Sequence, residues 1–273
     1  MPLARRLGVA ALGLLLGVLV LAALQRRLVF FPDRVEPAVA ARRAAAVGAL
    51  PWAHGWRFAG PDLPSDRGER GPPVLLAFHG NAGMALDRAY MADTFGPAGF
   101  EVRVVEYPGY GARAGSPSEA AFFEAAEAAF DAVVAEAVPN RPVFVLGESI
   151  GTGPACHLAR VRGDAMAGLV LVTPFDRLAG PAGDHFPWLP VGLLLRDRFD
   201  NAAALATARV PLFVVLAGRD AVVAPAHGRR LYDGYGGPKR LWVDPTADHN
   251  DLPWASRQGP LAEAVAALVA TGR

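Results

Sequence analysis

The sequence predicts an α/β fold: a mostly parallel sheet with helices on both faces, preceded by one apolar N-terminal helix. Three observations carry this. Short valine-rich apolar runs recur along the chain, longer stretches with helical spacing separate them, and an uncharged apolar segment stands near the amino terminus. Strand-sized runs alternating with helix-sized ones mean βαβ units, whose helices cover both faces of a parallel sheet. At 273 residues the chain fits one large domain. Its 52% hydrophobic and 19% charged content is too apolar for disorder and too charged for a multi-span membrane protein.

Leu7 to Leu24 is an uncharged run of 18 residues, with Arg5 and Arg6 before it and Gln25, Arg26 and Arg27 after it. As a helix it would measure about 27 Å, close to the hydrocarbon thickness of a bilayer. We therefore expect residues 1–27 to be a single-pass membrane anchor, with a cleaved signal peptide as the competing reading. Arginines after the run favour a cytoplasmic domain, and Arg5 and Arg6 read as a signal anchor favour the opposite side. The side of the membrane stays open.

Residues 28–273 are the expected globular domain. Leu28-Val-Phe-Phe-Pro32 is apolar and ends at proline, Ala38 to Leu50 is an alanine-rich helix candidate, and Gly60 to Pro73 reads as a surface loop. Buried strands are expected at Val74–Phe78, Val102–Val105, Val143–Leu146, Leu169–Val172, Leu212–Leu216 and Leu241–Val243, where runs are brief and flanked by Gly or Pro. Helices are expected at Ala85–Phe95, Ser118–Ala137, Ile150–Val161, Pro225–Tyr232 and Trp254–Val269. Asp176 to Ala206 breaks this rhythm and reads as an insertion over the carboxyl ends of the strands, either a lid with an acyl-binding wall or a plain core cover.

Charge removes one partner class. Basic and acidic side chains balance at 27 against 26, so no electrostatic footprint for nucleic acid exists. The single cysteine, Cys156, excludes an intrachain disulfide and reads as a small buried hydrophobe.

The sharpest motif is Gly147-Glu148-Ser149-Ile150-Gly151, directly after one expected strand and directly before one expected helix. In that setting GxSxG is a nucleophile elbow: a strained turn lifts the serine above the sheet, and small flanking residues let strand and helix approach. A chance match in a chain with 30 glycines is the alternative, which the strand and helix context weakens. A serine hydroxyl needs a base, and the imidazolium that forms needs an anion. Asp220, after the strand Leu212–Leu216, and His249, beyond the strand at Leu241–Val243, supply both in the expected Ser, Asp, His order.

His54, His157, His185 and His227 are weaker bases by position, and Asp244, Asp248 and Asp251 compete less well with Asp220. A tetrahedral intermediate also needs hydrogen-bond donors for its oxyanion. The backbone N–H of Ile150 is the expected first donor. His79-Gly80-Asn81-Ala82-Gly83 supplies the second from Asn81, with Ala82 as a near alternative, and His79 is expected to brace this loop.

Together these motifs resemble the α/β-hydrolase superfamily. HGNAG at 79–83, EYPGYG at 106–111, GESIG at 147–151, GRDAVV at 218–223 and DHND at 248–251, with LVFFP at 28–32 after the apolar run, resemble its membrane-anchored BEM46-like group, related to the ABHD13 and ABHD17 types. The resemblance covers nearly the whole chain. It implies a serine hydrolase with Ser149 as nucleophile, Asp220 as acid, His249 as base and oxyanion donors near Asn81 and Ile150. It leaves the substrate open, because fold and family do not fix substrate.

The expected activity is hydrolysis of a carboxylic ester or thioester through an acyl-enzyme, with no metal or organic cofactor needed. The expected partner is a small-molecule or lipid-like acyl substrate; oligomeric state is not legible. The same triad also cleaves amides, so a peptidase is the near alternative, and a noncatalytic membrane-tethered protein is a distant one. A dinucleotide-binding oxidoreductase fails on spacing: Gly151 and Gly153 begin GxGxxG, but Cys156 stands where the third glycine belongs.

Overall fold

The computed structural model describes residues 12–13, 17, 24–58, 71–136 and 141–254. Of the expected apolar span only Leu12, Gly13, Gly17 and Leu24 fall within this set, and the helix expected beyond Trp254 lies outside it. Among the described residues no helix is long and apolar enough to cross a membrane.

Residues 24–29 are helical and lead into β1 (Phe31–Pro32), α1 (Pro37–Ala46), β2 (Ala49–Trp52) and β3 (Gly55–Phe58). Then follow β4 (Val74–Phe78), β5 (Ala82–Gly83), α2 (Ala89–Phe95), β6 (Glu101–Val105), α3 (Glu119–Val134), β7 (Val143–Glu148) and α4 (Thr152–Arg162). The chain continues through β8 (Gly168–Val172), a cap of three short helices, α5 (Ala179–His185), α6 (Val191–Leu194) and α7 (Asn201–Leu205), and then β9 (Leu212–Ala217), α8 (Pro225–Gly234) and β10 (Lys239–Asp244).

Eight strands form one sheet in the order β10-β9-β8-β7-β4-β6-β3-β2. All neighbours pair in parallel except at β3, which runs against both β6 and β2. The expected strands therefore form the parallel centre. β2 and β3 are additions, and they correct one expectation: the helix ends at Ala46, so Ala49 and Leu50 belong to a strand.

Alternation along each strand builds two cores. Val74, Leu76 and Phe78 of β4 face one side with Phe122, Phe130 and Leu158 of α3 and α4, while Leu75 and Ala77 face the other with Met91 and Phe95 of α2. Helix α3 begins where Ser118 accepts the Ala121 N–H at 3.1 Å, a cap worth about 1 kcal/mol. β4 is followed in the sheet by β6 on one side and β7 on the other. That reversal opens a crevice above their carboxyl ends, where open α/β sheets bind ligands.

At the opposite end of the sheet a buried ion network clamps β6. Glu101 accepts from Arg103 Nε at 2.6 Å and from Arg141 Nη2 at 2.7 Å, and both arginines also reach Glu136. Burial alone would raise the Glu101 carboxyl, but the hydrogen bonds and charges of Arg141 and Arg103 outweigh it and hold the group below its usual range. Its stabilisation is therefore present above the unfolded glutamate value and is lost as pH falls through the folded one. Glu101→Gln is expected to destabilise the fold at pH 7 by about 2 to 3 kcal/mol, since Glu136 still partners the arginines. Urea midpoints at pH 7 and pH 3 check this: the advantage of the wild type over the variant shrinks at the lower pH.

Candidate active site

β7 delivers the chain to Ser149, which opens a 3-10 turn, Ser149–Gly151, before α4. Ser149 holds φ at +52°, a left-handed conformation unfavourable for a residue with a side chain. Glycine on either side makes the turn feasible. A Cβ on Gly147 would stand 2.6 Å from the Gly151 carbonyl oxygen, and one on Gly151 would overlap the Phe78 carbonyl oxygen of β4. The Thr152 hydroxyl donates to the Ser149 carbonyl at 2.6 Å and accepts from Asn201 of α7, which also donates to the Phe175 carbonyl. The strained turn is thus braced from the cap.

Ser149, His249 and Asp220 meet. Ser149 Oγ lies 3.0 Å from His249 Nε2, and His249 Nδ1 lies 2.7 Å from Asp220 Oδ2. The other Asp220 oxygen accepts the N–H groups of Val222 at 2.9 Å and Val223 at 2.7 Å. Its side chain is 1% exposed and that of His249 is 10% exposed, so the pair is shielded where electrostatic interactions are strong.

The competing aspartates have separate duties. Asp248 accepts from the Ala221 and His249 N–H groups, which hold its carboxyl below the usual range and join the two loops. Asp251 accepts the Asp248 N–H, and Asp244 at the end of β10 accepts from Thr246 and Ala247 to shape the turn that follows. The other histidines are otherwise engaged. His157 pairs with Glu127 at 2.7 Å, His227 sits between Asp176 and Asp184, and His185 lines the same pocket as Ser149 but faces the Val222 carbonyl at 2.9 Å.

His79 is fully buried and braces its loop: Nδ1 lies 2.7 Å from the Gly80 carbonyl, and its ring packs on Tyr107 at 4.3 Å. Its Nε2 lies 3.5 Å from Glu106 Oε1, at the limit of an interaction. Asn81 and Ile150 both line the pocket beside Ser149. The Asn81 side chain, however, is committed elsewhere. Its Oδ1 accepts from the Phe31 N–H at 3.2 Å and from Tyr110 at 3.0 Å, and its amide nitrogen donates to the Val29 carbonyl. These bonds hold the Asn81 side chain against residues 29–31 and Tyr110, and its backbone N–H is the candidate oxyanion donor at this residue.

Sequence reasoning overlooked Glu148, Arg88 and Tyr90. Glu148 Oε2 accepts from the Gly80 N–H at 3.3 Å, Arg88 Nε at 3.0 Å and the Tyr90 hydroxyl at 3.1 Å, while Arg88 Nη2 donates to the Ala82 carbonyl. Burial and the Glu148 charge push the Tyr90 phenol well above its ordinary range, so it remains a donor. The elbow and the 79–83 loop are thereby tied together. The one available signal was a charged residue inside the elbow motif.

The pocket above Ser149 has a volume of about 510 Å³. Its wall is largely apolar, drawn from Leu28, Val29 and Phe31 and from the cap, with Leu178, Phe186, Trp188 and Leu189 prominent. Asp176, at the start of the cap, would have its carboxyl raised by burial, but hydrogen bonds from Arg230 and His227 outweigh this and hold it below its usual range.

Comparison with known proteins places this arrangement. Residues 72–199 match the family described as serine aminopeptidase, S33. The chain is 34% identical over 231 residues to Uncharacterized protein Rv2307c of Mycobacterium tuberculosis, covering 83% of this chain and 81% of that one. It is 30% identical over 190 residues to the lysophosphatidylserine lipase ABHD12 of Rattus norvegicus, covering 63% of this chain and 47% of that protein, about half its length. The solved structure of Est1E from Butyrivibrio proteoclasticus, with ferulic acid bound, aligns with a TM-score of 0.63 at 15% identity, covering 81% of this chain and 99% of that one. With its eight-stranded sheet, its elbow between β7 and α4 and these relatives, the chain belongs to the α/β-hydrolase superfamily.

Proposed function

We propose that the protein is a serine hydrolase that cleaves carboxylic esters or thioesters through an acyl-enzyme on Ser149. The observation that carries this is the relay from Ser149 Oγ through His249 to Asp220, opening onto an apolar pocket. Ser149 Oγ attacks the carbonyl carbon as His249 Nε2 takes its proton, and Asp220 stabilises the imidazolium. The backbone N–H groups of Ile150 and Asn81 receive the oxyanion. His249 then protonates the leaving alcohol or thiol, and water repeats the sequence to free the acid.

The apolar wall favours a lipid-like acyl group, as does the lipase name of the rat relative. We read residues 1–27 as the membrane segment, 28–273 as the hydrolase domain and 176–206 as its lid. The family description raises an aminopeptidase as the second reading. That chemistry needs a free carboxylate for the substrate ammonium. Glu148 is the acidic residue lining the pocket, and it already pairs with Arg88 and Tyr90. Ester cleavage fits better.

A fluorophosphonate probe tests the mechanism on detergent-solubilised full chain. Mass mapping is expected to find one phosphonyl adduct, on Ser149, absent from His249→Ala. A folded wild type without an adduct, or with one elsewhere, would favour a noncatalytic tethered protein.

A further inference from the structure

Large apolar side chains left in solvent gather where the pocket opens. Leu28, Phe31, Phe186, Trp188 and Val222 are exposed and also line the cavity, and Leu193, 83% exposed, sits in α6 between two lining positions. A contiguous apolar rim of this kind marks an interaction surface.

The rim is assembled from two remote parts of the chain that are clipped together. Gln25 donates to the Leu194 carbonyl at 3.3 Å and accepts from the Arg196 N–H at 2.7 Å, and Arg26 pairs with Asp197 at 2.9 Å. Residues 24–29 and the cap therefore form one ledge. The sequence feeding this ledge is the uncharged run Leu7 to Leu24, long enough for a bilayer. Exposed Arg27, Arg196 and Arg198 adjoin the ledge in sequence, as suits anionic headgroups.

We infer that this rim docks on a lipid bilayer, with Phe186, Trp188 and Leu193 seated at the level of the upper acyl chains, so that the acyl substrate passes from the bilayer into the pocket. Two observations favour lipid over a protein partner or a second copy: the rim is continuous with a bilayer-length apolar run, and it frames the pocket mouth, which a protein would seal. Tryptophan at the edge of such a surface is typical of membrane interfaces. The inference deepens the hydrolase reading and rests on it for the identity of the substrate.

The test uses full-length protein in vesicles of phosphatidylcholine and phosphatidylglycerol. Cys156 is fully buried with its thiol pushed far up, so an NBD-maleimide label reports only an introduced cysteine. Leu193→Cys carries the label at the rim, and Val134→Cys carries it at the exposed far end of α3. Brominated acyl chains are expected to quench the Leu193 label several-fold and to leave the Val134 label unquenched. Equal quenching at both sites, protein that fails to float with the vesicles, or a blue shift without quenching, as a second copy would cause, overturns the inference.

Leu193→Asp adds a functional arm. Turnover of a long-chain ester embedded in vesicles is expected to fall about 10-fold while a short water-soluble ester is cleaved as before. An equal loss on both substrates would count against docking. Quenching at Leu193 in a protein that cleaves neither ester would sink the hydrolase reading and leave the docking surface standing.

Discussion

Ser149→Ala is expected to lower turnover of a short-chain ester by about 10⁶-fold. The attacking oxygen is removed while His249, Asp220 and the candidate oxyanion donors remain. What survives is the modest acceleration that binding and oxyanion stabilisation give to attack by water. The fold should hardly change. Alanine meets the same positive φ as Ser149, so the strain of the elbow is carried over rather than relieved. The loss is one hydrogen bond, about 1 kcal/mol, equivalent to a few degrees in melting temperature for a domain of this size. Steady-state kinetics beside a thermal melt separate the two effects. Turnover retained within 100-fold in a protein freed of contaminating esterase would remove Ser149 from the chemistry.

Asp220→Asn is expected to lower kcat by about 10⁴-fold with little change in KM, and the structure gives the reason in terms of a proton. The Val222 and Val223 N–H groups both point at one Asp220 oxygen. In the asparagine variant those donors select the amide oxygen for that position, which turns the NH2 group toward His249 Nδ1. The imidazole must then accept at Nδ1 and carry its proton on Nε2. In that tautomer it cannot take the proton of Ser149. Asp248→Asn serves as the comparison, because Asp248 touches His249 only at its backbone N–H and should lose far less than 10⁴-fold. Similar losses in both variants would mean that the loop, and not the imidazole tautomer, is what Asp220 controls.

The central strands were legible because burial on both faces leaves little choice of residue: Val74–Phe78 and Leu212–Ala217 are buried throughout. β2 and β3 were hidden for the opposite reason. Ala-Leu-Pro-Trp and Gly-Trp-Arg-Phe are four residues each, half-exposed, and lie toward the edge of the sheet, so they carry no sustained apolar run.

The convergence of Ser149, Asp220 and His249 could be read because each follows an identifiable strand, and parallel strands bring their carboxyl ends to one edge. The support of the 79–83 loop could not be read. Asn81 reaches 50 and more residues back to Val29 and Phe31, and Glu148 reaches 60 residues to Arg88. Such pairings leave no local spacing to detect.

That tie between Asn81 and the residues after the apolar run bears on proteolytic processing of the protein. Phe31 and Pro32 pair with Ala82 and Gly83, the Asp33 N–H donates to the Gly83 carbonyl at 2.9 Å, and the Phe30 ring packs on Phe122 at 5.3 Å. A cut on the amino side of residue 24 leaves every one of these contacts in place. A cut a dozen residues later would strip the loop of the strand that shapes it and uncover the aromatic core beneath, so the same event, displaced by so short a length of chain, turns release into damage.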